Sequence, residues 1–420
     1  MQTAIAYLVA ARRCEIAELE QLNRTCELMR VVSEFVQNLQ SERGISNVYI
    51  ASEGQRFGAR REQSCALTDR SREFFLLWLA RNEPSVSIAG GSRLFTRIAQ
   101  SLHSLDELGS IRSSVQSLAG MPAESSERYS HLISTLLALV FDAADIAVDP
   151  EVSRLLVALF NLMQGKEFVG QERAIGSRSF ATGLVSPEDL RAISDSIELQ
   201  EQCFQRFESF CGESLLAQWQ ALQSIMPLVA IERMRRRLFM PVLQADGSLA
   251  EEWFNCCSDR IDHMYVVEQH LTAQLELACQ SCIKRTQTEL QDHQVLLAAF
   301  EKQISFPVRT ELVAGLSSGM HLTELLGLAS VGSPLTRDVF TALQKQSRHL
   351  QSVSEELASV RAALEERKVV ERAKGVLMST QSITEPVAYR LLRDKAMNQN
   401  RRMIDVAESV LAMADFLPKK

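Results

Sequence analysis

Gln40-Ser-Glu-Arg-Gly-Ile-Ser46 and Gly170-Gln-Glu-Arg-Ala-Ile-Gly176 read as near-copies of one another. Extended to Gln40–Glu53 and Gly170–Gly183, the pairing sets Ile50 opposite Phe180 and Ala51 opposite Ala181. Each copy places an arginine inside an apolar, small-residue pattern with helical spacing. A guanidinium is planar, permanently charged and carries five donors in a fixed fork, so it suits a planar oxyanion. Two of them facing each other between helices repel unless an anion lies between, which is the arrangement of a sensor whose ligand completes the packing. The plainer alternative is a pair of solvated Glu-Arg ion pairs of little energetic weight. Gly44 favours the first reading, because a glycine inside a helix costs about 1 kcal/mol and signals close helix approach or access for a ligand. Ser46 and Tyr49 lie within helical reach of Arg43 as further donors.

Outward from these copies almost every segment reads as helix. Ile16, Leu19, Leu22, Cys26, Met29, Val32, Phe35 and Leu39 hold one face at 3.6-residue spacing. Breaks fall at Glu53-Gly54, Pro84 with Gly90-Gly91, Gly120-Met121-Pro122, Asp149-Pro150, Ser186-Pro187, Gly212 and Asp246-Gly247. Ser186 caps ahead of Pro187 and Asp189, and Ser248-Leu-Ala-Glu251 has the form of a capping box. The expectation is an all-α fold: a sensor over 1–303 of about eight helices in two four-helix bundles, with the copies in the first and fifth helices and an internal duplication behind them. A third arginine concentration, Ile231-Glu-Arg-Met-Arg-Arg-Arg237, puts Arg233, Arg236 and Arg237 on one helix face. Either acidic neighbours relieve these cations or one turns inward to the same anion. Arg233 repeats the Glu-Arg order and is the first candidate, with Arg236 beside it.

Pro307, Gly315, Gly319, Gly327 and Gly332-Ser333-Pro334 mark a connector over 304–342. The last segment, 343–416, opens with a coiled-coil-like helix in which Leu343, Leu350, Leu357 and Leu364 recur every seven residues, with Val353 and Val360 between them. That stripe is either the seam of a homodimer or a face lying on the sensor body. Three helical pieces follow, with Val376, Leu377, Ala388, Leu391, Leu392, Met397, Ile404 and Val406 as their apolar positions. Lys374, Arg390, Arg393, Lys395, Arg401 and Arg402 stay outside, with Tyr389 among them. A basic surface with one aromatic suits phosphate contacts plus stacking on structured RNA loops, although a solvated helix face carries the same charge.

Charge supports the division. The 420 residues carry a net −7, yet residues 361–420 hold twelve Lys/Arg against eight Asp/Glu, a net +4 that leaves −11 for the remainder. An acidic body with a basic tail points to a polyanionic partner for the tail alone. With 46% apolar and 23% charged residues the chain is globular. Nine cysteines without extracellular spacing, and no signal peptide in Met1–Cys14, make a reducing cytoplasm the expected location. The most apolar stretch, Leu132–Val148, carries Asp142 and Asp145 and is too short to span a bilayer.

At Ala373-Lys-Gly-Val-Leu-Met378, Ala388-Tyr-Arg-Leu-Leu-Arg393, Ala396-Met397 and Asp405-Val-Ala407 the C-terminal region resembles the ANTAR domain, an RNA-binding antitermination module. It departs at Gln381-Ser382, where the family usually has a glycine in the turn. The front 300 or so residues resemble the nitrate- and nitrite-sensing (NIT) domain through the two Glu-Arg copies. The resemblance implies that nitrate or nitrite binds through arginines, here Arg43, Arg173 and Arg233 with Arg236. Binding would shift the helices and free or align the basic domain to grip leader-mRNA stem-loops, keeping a terminator from forming. It implies a three-helix RNA-binding domain, an effector in place of any cofactor, no membrane and no catalysis.

Competing readings have less behind them. An anion sensor acting through DNA or a protein partner shares the charge pattern, but a receptor would need a membrane span and a kinase an ATP site. Gly315-Leu-Ser-Ser-Gly319 fits a nucleophile elbow only in an α/β sheet. Cys256-Cys257 with Cys279 and Cys282 lacks histidine ligands and diverging neighbours on a helix do not chelate, so no metal site is expected.

Overall fold

The computed structural model describes residues 2–82, 91–147, 149–240, 243–303, 334–381, 383, 385–399 and 401–414. All regular structure among them is helical. The sensor runs through α1 (Gln2–Ala51), α2 (Gly58–Arg81), α3 (Gly91–Leu105), α4 (Leu108–Gln116), α5 (Pro122–Ile146), α6 (Pro150–Thr182), α7 (Pro187–Phe210), α8 (Glu213–Ile225), α9 (Leu228–Leu238) and α10 (Gly247–Gln303). After it come α11 (Pro334–Gln381), α12 (Glu385–Gln399) and α13 (Met403–Ala414).

Each half of the sensor uses the same plan: a long helix, a partner, a broken third helix and a returning fourth. The third is split into α3 and α4 in the first half, and into α8 and α9 at Met226-Pro227 in the second. Among the described residues the break in each third helix makes ten helices of the eight positions expected, and the Glu-Arg copies lie in the first and sixth. α1 packs against α2, α5 and α10, and α6 packs against α5, α7 and α10. The two bundles are fused, because one apolar cluster from Leu28 and Phe35 through Leu136 and Leu159 to Met264 and Leu271 runs through both. A second cluster of Phe180, Ile193, Ile231, Met234, Leu238 and Trp253 closes one end. α5 is long and apolar enough to cross a membrane. It is a core helix instead: Leu132, Leu136, Leu139 and Val140 are buried in the shared cluster. Its Asp142 accepts from Arg93 at 3.2 Å and Arg97 at 2.9 Å.

Local chemistry sets the starts. Ser186 caps α7 as expected, and with Asp189 it forms a reciprocal box; Asp149 accepts from the Val152 amide ahead of Pro150 at α6. At α10 the cap is Asp246, not Ser248: its Oδ1 accepts from the Ser248 and Leu249 amides at 2.9 and 3.1 Å. Asp246 can do this because it sits one residue before Gly247, where the chain enters the helix.

The leucine stripe of α11 lies on the sensor. Val360 and Leu364 belong to the sensor's core cluster, and Leu357 is buried. Arg367 stacks 4.5 Å over Phe160. The described half of the stripe, Leu357 and Leu364 with Val360 between them, thus lies buried on the chain's own body; a helix docking one face on a neighbour and a helix pairing with a copy show the same stripe. The side chains of Leu343 and Leu350 lie outside the described residues, as do residues 304–333 with Gly315–Gly319, Ser382 and Thr384. α11 begins at Pro334, the start that Ser333-Pro334 marks in the sequence, so residues 334–342 are its first turns. The end of α11 packs with α12 and α13 around Ala373, Leu392, Ala396, Val406 and Ala407.

Candidate functional site

α1 and α6 bring the two Glu-Arg copies against each other, and glycines make the approach possible. A Cβ on Gly44 would lie 2.6 Å from Arg173 Nη2, and one on Gly170 would meet Arg43 Nη2. Each guanidinium therefore rests on the other helix's backbone. The prediction of close approach at Gly44 holds.

The two glutamates are treated alike. Glu42 accepts a bidentate pair from Arg112 at 2.7 and 2.9 Å and the Tyr129 hydroxyl at 2.7 Å. Burial pushes the Glu42 carboxyl up, and Arg112 outweighs this to hold it below the usual range. Glu172 accepts the matching pair from Arg235 at 2.6 and 2.8 Å and the Gln200 amide at 2.8 Å. Burial works against the Arg235 charge, and Glu172 more than compensates.

The two arginines are not alike. Arg43 is fully buried and ion-paired to Glu167 through both nitrogens, Nη2 to Oε2 at 3.0 Å, with Ser130 Oγ at 2.7 Å from Nη1. Gln40 and Gln171 add donors to the same carboxylate at 2.9 and 3.0 Å. Ser46 and Tyr49 take no part; Tyr49 lies under Arg61 instead. Arg173 is 2% exposed and finds only neutral acceptors: the Gln40 carbonyl at 2.6 Å and Ser258 Oγ at 2.8 Å. Its Nε has no partner, and no carboxylate lies within ion-pair distance among the described residues. Burial, then the charge of Arg43, brings its pKa down to about 10. Phe254 stacks beneath it at 5.0 Å.

Arg173 borders a cavity of ≈ 90 Å³ shared with Ser41, Arg60, Ser258, Gln37 and Asp262. A larger space of ≈ 520 Å³ between α6, α8 and α10 sets Arg154 against Glu151 and Glu213, a poor match for an anion.

Arg233 and Arg236 do not join this group. Their side chains are 67% and 81% exposed, and they pair with Glu252 and Glu232. Arg235 turns inward instead, for a reason the sequence contains: Ile231, Met234, Arg235 and Leu238 share one helix face, and Ile231, Met234 and Leu238 are buried. Glu167, the counter-ion of Arg43, had no motif to announce it beyond a Lys166-Glu167 pair after the largely apolar run Leu155–Met163. The four cysteines weighed for zinc disperse: Cys279 Sγ lies 3.4 Å from Cys26 Sγ, and Cys282 donates to Asp149 at 3.3 Å.

In the small domain, three residues expected on the RNA-facing surface meet the sensor instead. Arg390 donates to Asp195 on α7 at 2.5 and 3.2 Å, and Arg393 to Glu198 at 2.6 Å and Asp195 at 3.4 Å. The Tyr389 hydroxyl donates to Gln202 Oε1 at 3.1 Å, and burial pushes its pKa up. Tyr389 and Lys374, expected outside, are each 7% exposed, and Lys374 pairs with Glu371 at 2.9 Å. Lys395, Arg401 and Arg402 do face solvent. Arg402 reaches Asp405 at 3.2 Å.

An all-helical body with paired buried arginines, carrying a small basic domain on its acidic flank, defines a ligand-responsive regulator. The chain belongs to the nitrate and nitrite sensing (NIT) family, which it matches over residues 34–276, and residues 358–411 match the ANTAR domain. It is 30% identical over 410 residues to the nitrate regulatory protein of Klebsiella oxytoca, covering 97% of this chain and 95% of that one. It is 41% identical over 64 residues to the transcriptional regulatory protein PdtaR of Mycobacterium tuberculosis, 15% of this chain and 31% of that protein. Among solved structures it is similar to the NasR transcription antiterminator, with a TM-score of 0.62 and 29% identity over 98% of this chain and 99% of that one.

Proposed function

We infer that the chain is a nitrate- or nitrite-responsive antitermination regulator of the cytoplasm. The anion binds at the α1–α6 crossing, and the ANTAR domain binds leader-mRNA stem-loops so that transcription passes the terminator. It needs no cofactor beyond that effector. One observation carries the reading: Arg173, a buried cation hydrogen-bonded by neutral groups alone, borders a cavity of ≈ 90 Å³ that Ser41, Ser258 and Arg60 also line. A weakly basic, charge-spread oxyanion gains affinity only from converging donors out of water, and these are such donors.

A continuous set of contacts joins that crossing to the RNA-binding arginines. Gln200 on α7 donates to Glu172, the neighbour of Arg173, and accepts from Arg260 at 3.0 Å. Asp195 and Glu198, on the same helix, hold Arg390 and Arg393. Those carboxylates stand where RNA phosphates would bind, so undocking must precede RNA contact through these groups. An anion that favours the undocked arrangement raises RNA affinity by its differential affinity for the two.

The test is leader-RNA binding by the purified full chain, with and without nitrate, beside a DNA duplex of the same sequence. Nitrate-dependent binding to RNA, lost in Arg173→Gln with helix content unchanged and absent for the duplex, supports the reading. RNA affinity indifferent to nitrate and nitrite contradicts it, and preference for the duplex makes DNA the target.

A further inference from the structure

We propose that the oxyanion sits in the cavity beside Arg173 with Arg60 as its second cation, and that its arrival is coupled to proton uptake by Asp262, whose carboxylate borders the same space. This rests on the oxyanion reading above and assigns its seat, its second cation and its regulation by pH.

The cavity suits a small planar ion. One water needs about 10–15 Å³ of such space, so ≈ 90 Å³ accommodates a four-atom oxyanion with its remaining solvent and little more. Arg173 brings a buried Nε with no partner. Ser41 and Ser258 bring hydroxyls from α1 and α10. Arg60 enters from α2 at the exposed mouth, its guanidinium 4.3 Å over Phe57 and 5.7 Å over Phe254. Arg173 lies over the same Phe254 ring at 5.0 Å, so one aromatic platform carries both cations.

Asp262 is the discordant member. The groups that face it are Gln37 from α1, which donates at 3.1 Å, Arg173 and Lys166 from α6, and Asp259 on its own helix, with Arg60 from α2 across the cavity. Burial already pushes the Asp262 carboxyl up, and Arg173 opposes this. A second negative charge in so small a space repels the carboxylate and competes for the same cation. Nitrate is the anion of a strong acid and does not take a proton, so the carboxylate does, at Oδ2 or Oδ1, from solvent. No covalent bond to the ligand forms.

The experiment is calorimetric titration of sodium nitrate into the full chain from about pH 5.5 to about pH 8, in two buffers of different ionisation enthalpy. Wild type is expected to lose affinity as pH rises, by up to about tenfold per unit, the limit for one linked proton, with a heat that depends on the buffer. Asp262→Asn is expected to bind at least about tenfold tighter at the alkaline end and without pH dependence. Arg60→Gln, an exposed change, is expected to weaken binding about tenfold or more with helix content unchanged. A wild-type affinity that is flat with pH, or an Asp262→Asn variant that keeps the slope, overturns the proton coupling. Binding untouched by both Arg60→Gln and Asp262→Asn overturns the seat while leaving the sensor reading intact. Absence of nitrate and nitrite binding at every pH defeats the sensor reading itself.

Discussion

Asp195 and Glu198 hold the ANTAR arginines, and neutralising them should release the domain without any effector. Arg390 spans Asp195 with two contacts of 2.5 and 3.2 Å, and Arg393 meets Glu198 at 2.6 Å. The arginine side chains are 23% and 21% exposed; Asp195 is 9% exposed and Glu198 42%, so the Asp195 contacts are sheltered and the Glu198 contact is largely open to solvent. Exposed pairs contribute about 0–1 kcal/mol, and well-buried hydrogen bonds to charged groups about 1.5–3. A value of about 1.5 kcal/mol for Arg390 and about 0.5–1 kcal/mol for Arg393, whose partner Glu198 is exposed, gives about 2–2.5 kcal/mol for the contact, or roughly 30- to 70-fold in the ratio of docked to free domain. The variant is Asp195→Asn with Glu198→Gln, which leaves the RNA-facing arginines intact. The assay is leader-RNA affinity by fluorescence anisotropy in nitrate-free buffer at one fixed salt concentration, since phosphate contacts are salt-dependent. The variant should bind RNA tens of times more tightly than wild type and respond little to added nitrate. A nitrate-free affinity within about threefold of wild type would refute the docking argument.

Glu167→Gln removes the carboxylate that neutralises Arg43, and breaking a buried pair costs about 3–5 kcal/mol. Its thermal midpoint should fall by roughly 6–20 °C, at about 2–4 °C per kcal/mol, and scanning fluorimetry within about 2 °C of wild type would be inconsistent with that pair. Gly44→Ala should leave helix content and stability nearly unchanged, because its gain of about 1 kcal/mol in helix propensity offsets the clash with Arg173. Its nitrate affinity should nevertheless drop, since the methyl would sit 2.6 Å from Arg173 Nη2 and the guanidinium must move. Glu42 is held below its ordinary value of 4.5, so its contribution to stability is complete above that pH and disappears as pH falls through the lowered value. The stability gap between wild type and Glu42→Gln in urea titrations should therefore close on acidification; a gap that widens has the wrong sign. Leu364→Glu buries a charge in the sensor's shared core and should destabilise by about 3 kcal/mol or more with the light-scattering mass unchanged. A well-folded variant of half the mass would restore the dimer seam.

The Glu-Arg copies were legible because local identity and helical phase survive where the rest of the two halves has diverged. Gly44 announced the close approach, and the Pro and Gly breaks located most helix ends. The break between α3 and α4 carries neither residue, only the polar run Ser104-Leu-Asp-Glu107, and so left no sign. Arg235 was readable in principle: it follows Ile231 by four residues on the apolar face, while the repeated Glu-Arg order drew attention to the exposed Arg233. Glu167 was not readable, because a counter-ion is chosen by three-dimensional crossing and α6 meets α1 far from it in sequence. The ANTAR basic residues were grouped by charge, and charge alone does not say what covers them. Their docking on α7 depends on Asp195 and Glu198, two acids on an ordinary amphipathic helix. Likewise the heptad of α11 fixes a face, not the identity of what that face meets.

Linkage supplies the most direct test of the central claim, that an oxyanion at the α1–α6 crossing and RNA at the ANTAR domain select the same arrangement. The nitrate dissociation constant of the full chain should be measured by calorimetry alone and with saturating leader RNA. The account predicts that RNA tightens nitrate binding by the same factor by which nitrate tightens RNA binding. A nitrate affinity unmoved by bound RNA would contradict it.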